Sequence, residues 1–441
     1  MAGEWDSGPL DELVEDIVDR RGITPLKLGA VFVPAGYRVI SAKAIKSRRV
    51  DLSADDPRFV DEATYRKWMR TPLLADDVIL TSEAPLGEVA YVRESVEWCL
   101  GQRLFAIRTK KSRLHGRFLY YALQSEEVRR DLLSRATGTT AQGIRQSELR
   151  RIRIPLPEVV EQRAIARILG ALDDKIELNQ RMNETLEAVA RALFKSWFVD
   201  FGPVRAKAEG HDTGLPKSIA ALFPDSFQDS VLGEIPAAWS VGPILNHASL
   251  ISGGTPKTDR PEYWNGDIQW ASAKDVSQCG EAFLIETERS ITGQGLHESA
   301  TQVVAAFCSV VVARGATTGR MVLFGRKMAM NQTCYALAST TATPFALYCE
   351  LRLAIYNLVH AAHGSVFDTI TTNTFATSQV VLAPERVLKA FETRVAPLFH
   401  RMLVGIETSR SLAALSETLL PKLISGELRV KDAQRLVGGH T

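Results

Sequence analysis

The sequence predicts an α+β protein: two similar α+β globules separated by two long antiparallel helices that form a coiled coil, with a pseudo-twofold internal repeat. Three observations carry this expectation. Short motifs recur in one order at a nearly constant offset. The stretches between them are strand-rich and punctuated by Gly and Pro. Each repeat then runs into a long segment whose apolar residues alternate at spacings of four and three.

The duplication is the strongest of the three. Gly22-Ile23-Thr24-Pro25 matches Gly253-Gly254-Thr255-Pro256, and Thr24 to Thr255 is an offset of 231. Ser41-Ala42-Lys43-Ala44-Ile45 matches Ser272-Ala273-Lys274-Asp275-Val276 at the same offset. Gly87 and Gly319 each follow an apolar run, Val78-Ile79-Leu80 and Val310-Val311-Val312. Gln102 and Gln332 each precede an aromatic-centred run, Leu104-Phe105-Ala106-Ile107 and Cys334-Tyr335-Ala336-Leu337. Gly138 and Ile144 match Gly364 and Ile370 at an offset of 226, and Pro157 and Pro384 close the two units. A single match would be cheap; this many in one order are a repeat.

Within this frame each element has a local reason. Leu10, Leu13, Val14, Ile17 and Val18 fall at helical spacing and predict a short amphipathic helix at the start of the first globule. The strand-like intervals are interrupted by helical stretches at 116–134 and 344–361, giving globules of roughly 140 residues, within the ordinary domain range. The run from Val303 to Ala313 is too short to span a bilayer and reads as a buried strand.

From Glu161 to Phe198 there is no Pro and one Gly. Ile165, Leu169, Leu172, Ile176, Leu186, Ala190, Leu193 and Trp197 form a heptad seam. Phe391, Val395, Leu398, Met402, Leu412, Leu419 and Leu423 repeat it at an offset of 226. Both seams break at their middles, at Asn179 and Asn183 and at Gly405 and Ser409. Antiparallel pairing sets Ile165 against Leu423, Asn179 against Ser409 and Asn183 against Gly405, so these four residues are expected to fix the register. The segment Gly202–Trp239, rich in Pro and Gly, is expected to be loop-like with short turns.

Composition sets bounds on chemistry. The chain of 441 residues has 45% hydrophobic and 24% charged residues and a formal net charge of +2, so no global basic field marks a polyanion partner. Five cysteines without a CxxC pair disfavour a disulfide framework or zinc site and suggest a reducing cytosol. The acidic opening residues do not read as a signal peptide. There is no Gly-x-x-x-x-Gly-Lys-Ser/Thr phosphate loop and no Asn-Pro-Pro-aromatic tetrad; Gly315-Ala316-Thr317-Thr318-Gly319-Arg320 reads as a turn. No catalytic residue and no metal ligand set is assigned.

The helices and linker resemble a known family. Glu161-Gln162-Arg163-Ala164-Ile165, Asp173-Asp174-Lys175-Ile176-Glu177-Leu178-Asn179 and Leu193-Phe194-Lys195-Ser196-Trp197-Phe198-Val199-Asp200-Phe201 are similar to the central helix of type I restriction-modification specificity subunits. Gly202-Pro203-Val204-Arg205-Ala206-Lys207, Gly233-Glu234-Ile235-Pro236 and Leu420-Pro421-Lys422-Leu423-Ile424-Ser425-Gly426-Glu427-Leu428 extend the likeness. The resemblance implies a first target-recognition domain at 1–157, including the opening helix, and a central conserved helix at 158–200. It then implies a linker at 201–240, a second target-recognition domain at 241–384, a C-terminal conserved helix at 385–428 and a tail at 429–441. It also implies a cytoplasmic, non-catalytic subunit that binds double-stranded DNA. Two methyltransferase subunits would dock on the helices and restriction subunits would join them. S-adenosylmethionine, ATP and magnesium would belong to those partners.

About 36 helical residues span roughly 54 Å, and one turn of B-DNA is roughly 34 Å, so the helices suggest a ruler between two half-sites. The first globule is more apolar between Thr24-Pro25 and Ser41 than its counterpart with Tyr263, Trp264 and Trp270, so the target should be asymmetric. Candidate DNA contacts follow from charge. Between Arg103 and Arg153 basic residues are dense, and Lys110, Lys111, Arg113 and Arg145 are taken as candidates, opposed within the run by Glu126, Glu127, Asp131 and Glu148. Lys43, Lys46, Arg48 and Arg49 form a second cluster. Loop residues able to read base edges are Thr139, Thr140 and Gln142 in the first unit and Ser365, Thr372 and Asn373 in the second, with Lys257, Thr258, Lys274, Arg314 and Thr317 added. A solvated charged face explains the basic run equally well, and Ser-Ala-Lys equally fits a structural corner. A stand-alone DNA methyltransferase and a coiled-coil scaffold without DNA affinity are the competing classes.

Overall fold

A computed structural model describes residues 5–138, 142–361 and 369–433; Thr139, Thr140, Gly364 and Ser365 lie outside them. Packing divides the chain into two units, Met1–Lys175 with Ser411–Thr441, and Ile176–Arg410. Each unit therefore owns one globule and one stretch of both long helices, Val159–Phe198 and Glu385–Ser425.

In the first unit an antiparallel sheet runs in the order Val14–Asp19, Leu104–Thr109, Val78–Thr81, Val89–Tyr91. Its central strands, Leu104–Thr109 and Val78–Thr81, carry near-continuous apolar runs because both of their faces are buried. Side chains alternate between faces with period two. Val14, Ile17, Val78, Leu80, Phe105 and Ile107 enter a core shared with the helices Gly116–Ala122 and Glu126–Ser134. Val18, Ile79, Leu104 and Ala106 enter a second core. That second core is covered by a small sheet in the order Phe59–Val60, Tyr37–Ile40, Cys99–Leu100.

The second unit repeats this plan. Its main sheet orders Ala248–Ser252, Cys334–Ser339, Ser309–Val312 and Met321–Phe324 and adds Phe283–Leu284 at the edge. Its small sheet is Arg289–Ile291, Trp264–Ala271, Ala329–Met330. The registers coincide: Arg38 faces Phe59, and Gln269 faces Ser290, both pairs related by 231. Ile144 N donates to Ser82 O at 3.0 Å, and Ile370 N donates to Ala313 O at 2.8 Å. Gly87 and Gly319 both take positive φ, 89° and 88°, in the turn behind the central strand, where a side chain would be strained.

Three local expectations change. The opening apolar residues make one helical turn, Leu10–Leu13, and then the strand Val14–Asp19. Val14, Ile17 and Val18 are β-branched, and pairing with Leu104–Thr109 outweighs the helical spacing. The stretch 116–134 is broken between Ala122 and Glu126. The linker is built rather than loose: it holds the helix Gly202–Ala208, the short helix Lys217–Ala220 and a hairpin of Phe227–Ser230 with Gly233–Pro236. Val204, Phe223, Ile235 and Trp239 bury against Trp197 and Phe391 in the second unit's core.

The helices pair antiparallel in each unit. In the first, Ile165, Leu169 and Leu172 share a core with Leu419, Leu420, Leu423 and Ile424. In the second, Ala190, Phe194 and Trp197 share one with Phe391, Val395, Phe399, Met402 and Ile406. The second helix continues through Pro397 and Pro421, each of which removes one backbone donor, so tertiary burial must offset a local penalty of roughly 3 kcal/mol per proline.

Candidate nucleic-acid interface

The repeated Ser-Ala-Lys motif has a local explanation in both units. In the first, Ser41 Oγ accepts from Lys43 N at 3.2 Å and caps the turn Ala42–Ala44. Asp55 Oδ2 holds the corner by accepting Ser41 N at 2.8 Å. In the second, Ser272 and Asp275 form a capping box on the helix Ala273–Gln278, and Asp275 Oδ1 also accepts Glu288 N at 2.9 Å. The two lysines then differ. Lys43 is exposed, and its ammonium meets no side-chain partner among the described residues. Lys274 donates to Glu288 at 2.6 Å, and that carboxylate raises its pKa above the ordinary lysine value.

The cluster after Lys43 forms a tight hairpin of Ile45–Lys46 with Arg49–Val50. Its two turn residues, Ser47 and Arg48, have φ of 51° and 63°, conformations that favour Asn-Gly. Such strain persists only where the surroundings hold it. Here Tyr120 Oη donates to Arg48 O at 3.0 Å and Asp51 N donates to Ala44 O at 2.7 Å. The result is an exposed tip carrying Lys46, Arg48 and Arg49.

The basic run 103–153 is balanced by acids from elsewhere in the chain. Arg103 pairs with Glu83 at 3.1 Å, Lys111 with Asp76 at 3.0 Å, Arg113 with Glu12 at 3.7 Å and Arg150 with Asp11 at 2.5 Å. Arg108 meets the buried Asp77 at 2.7 Å, and Lys110 Nζ donates to Glu12 O at 3.1 Å. Arg117 is locked on Asp174 at 2.6 Å. Burial opposes ionisation of Asp174, but Arg117 and Arg93 outweigh it and depress its pKa. Arg145 and Gln142 are exposed, and Arg145 meets no side-chain partner among the described residues.

In the second unit Lys257, Thr258, Arg314 and Thr317 are exposed. Thr317 sits in a turn closed by Thr318 N to Gly315 O at 3.1 Å, with Gly315 at φ 98°. Thr372 and Asn373 are exposed in the first turn of Thr372–Thr377, which Thr371 caps.

The four register residues meet. Asn179 Nδ2 donates to Ser409 Oγ at 3.1 Å and Gly405 O at 3.4 Å, and Asn183 Nδ2 donates to Met402 O at 3.3 Å. Both Asn are buried, and a Cβ at Gly405 would stand 2.8 Å from Asn183 Oδ1. The small residue is what lets the amide in.

One pair escaped the sequence reading. Arg289 lies with its guanidinium 3.5 Å from the centre of the Trp264 ring, and Arg58 lies 5.6 Å from that of Phe32. Arg58 and Arg289 are related by the same 231 offset, the one signal that could have found them.

A family model described as "Type I restriction modification DNA specificity domain" matches residues 5–188. This first part of the chain is thus similar to the DNA specificity domain of type I restriction-modification systems. Among relatives of this chain, the type I restriction enzyme MjaIX specificity subunit of Methanocaldococcus jannaschii is 26% identical, covering 93% of this chain and 87% of that protein. The HindI specificity subunit of Haemophilus influenzae is 24% identical, covering 79% of this chain and 86% of that one. The fold of the chain is also that of a crystal structure of a type I restriction-modification system S subunit from M. genitalium, with a TM-score of 0.60 at 15% identity, covering 95% and 96% of the two chains. Among the described residues, no helix is long and apolar enough to cross a membrane.

Proposed function

We propose that the chain reads a bipartite, asymmetric target in double-stranded DNA, one half per globule, as the non-catalytic subunit of a type I restriction-modification complex. The observation that carries this reading is duplication of the frame without duplication of its surface. Both units keep the small sheet and the Ser-Ala-Lys corner, yet one presents Leu26, Val31 and Phe32 to solvent where the other buries Tyr263, Trp264 and Trp270. Two methyltransferase subunits dock along the helices and restriction subunits join them, in the cytoplasm. S-adenosylmethionine, ATP and magnesium serve those partners.

Gel shifts of the chain with its methyltransferase subunit, on its target and on scrambled duplex at rising salt, test the proposal. Specific, salt-sensitive binding is the expected result. Equal binding of both duplexes, or methylation of DNA by the purified chain alone, would overturn it. Exchanging residues 1–157 for those of another specificity subunit should change one half-site. Lengthening both helices by a heptad should alter the spacing between half-sites and leave the half-sites unchanged.

A further inference from the structure

The two arginine–aromatic pairs occupy one position in two copies of the same small sheet. Trp270 faces Arg289 and Gln269 faces Ser290 in the second unit; Arg38 faces Phe59, the residue after Arg58, in the first. Each arginine is exposed, Arg289 as the first residue of the outer strand Arg289–Ile291 and Arg58 immediately before the outer strand Phe59–Val60. Each guanidinium lies over an aromatic ring supplied by the segment that follows the repeated Thr-Pro. Equivalence in register, exposure and stacking together is more than a charged surface requires.

In the second unit the platform is fixed. Trp264 Nε1 donates to Lys257 O at 3.1 Å and Trp270 Nε1 donates to Gly254 O at 3.0 Å, so both rings are tied to the segment around the repeated Gly-Thr-Pro. The rings meet edge to face, 5.1 Å apart. The acids beside Arg289 are committed elsewhere: Glu288 holds Lys274, and Glu286 pairs with Arg410. The Arg289 guanidinium has no hydrogen-bond or carboxylate partner among the described residues, whereas its carbonyl accepts from Thr287 Oγ1 at 2.7 Å. In the first unit the platform is looser, with Phe32 45% exposed and Asp55 4.0 Å from the Arg58 guanidinium.

A guanidinium held over the face of a ring is restricted in its motion, which pre-orients its fork. That fork matches the two acceptors, O6 and N7, that guanine shows in the major groove. We propose that Arg58 and Arg289 are equivalent guanine-reading residues, one for each half of the target. This rests on the DNA-reading function proposed above. Arg289 is the stronger reader, since its ring is closer and its fork is not shared with a carboxylate.

The test uses the complex of the full chain with its methyltransferase subunits. Duplexes carry 7-deazaguanine, which lacks the N7 acceptor, at each target guanine in turn. The wild-type complex should lose affinity roughly five- to 150-fold at one guanine in each half-site. Arg289→Lys, which keeps the cation but not the fork, should abolish that sensitivity in one half only, and Arg58→Lys in the other. Unchanged melting and unchanged co-purification with the methyltransferase subunit show that the variants are folded. If the wild-type complex is sequence-specific but the deazaguanine sensitivity survives both substitutions, or a half-site contains no guanine, this inference fails while the DNA-reading function stands. A uniform loss of affinity on every duplex with a flatter salt dependence would make these residues phosphate contacts and overturn base reading. A wild-type complex that does not distinguish target from scrambled duplex sinks the underlying function itself.

Discussion

At one position of the long helices the two units solve the same packing problem in opposite ways. Asp173 and Asp174 of the first unit correspond, at an offset of 226, to Phe399 and His400 of the second. In the first unit Tyr121 Oη donates to Asp173 at 2.6 Å, and Arg117 and Arg93 close on Asp174. Burial pushes Asp173 above the usual carboxylate range, with Tyr121 and Arg117 opposing. In the second unit Phe399 stacks on Phe345, with ring centres 4.6 Å apart and planes 2° apart, and His400 meets Phe307 and Phe345 edge-on. One junction between helix and globule is a hydrogen-bonded ionic cluster; the other is aromatic. The lesson is that a duplicated backbone frame tolerates different chemistry, provided each buried group finds its own kind of partner.

The comparison can be broken most forcefully in the apolar seam. Ile165 and Phe391 are equivalent by the 226 offset, and both are fully buried. Phe391→Ala should cost about 3–5 kcal/mol and Ile165→Ala about 2–5 kcal/mol. Hydrogen exchange resolved by residue should place each loss mainly in its own unit; equal loss of protection in both would mean the units do not pack as separate cores.

A smaller effect is expected where the polar seam residues meet. Gly405→Ala should gain about 1 kcal/mol in helix propensity. Against Asn183 it should forfeit that gain or more, because the new methyl collides with the amide. In an Asn183→Ala background the same change should stabilise by about 1 kcal/mol. Denaturation of the four proteins of this double-mutant cycle measures the coupling, and simple additivity would contradict the contact.

Asp174 of the ionic junction should give an acid-sensitive term. The folded pKa of Asp174 lies below its unfolded value of about 3.9, so its stabilisation is present above that value and is lost as pH falls through the folded pKa. Asp174→Asn should therefore lower stability near neutral pH, by about 1 kcal/mol given that the side chain is 44% exposed. The gap from wild type should close on acidification. A gap independent of pH would assign the effect to lost packing.

The smallest effects concern the equivalent lysines. Neither Lys43→Ala nor Lys274→Ala should shift the melting temperature measurably. Lys43→Ala should reduce the salt dependence of DNA binding by about one ion, and Lys274→Ala by less, because its ammonium already has a carboxylate. Equal changes in the two slopes would erase that distinction.

The duplication, the two helices and the meeting of Asn179 with Ser409 and of Asn183 with the backbone beside Gly405 could be read from the chain, because period and offset are properties of residue order. What required the tertiary structure were the features made by distant partners. Val14–Asp19 is a strand because Leu104–Thr109 lies beside it. The linker is ordered because Trp197 and Phe391 give its Val204, Phe223 and Trp239 a place to bury. The basic run is balanced by Asp11, Glu12, Asp76, Asp77, Glu83 and Asp174, whose carboxylates are brought to it only when the chain folds. Arg58 and Arg289 look like ordinary surface cations until a ring lies under each. Periodicity is local and survives in a string of letters, whereas charge pairing, stacking and strand partnership depend on distances that the fold alone sets.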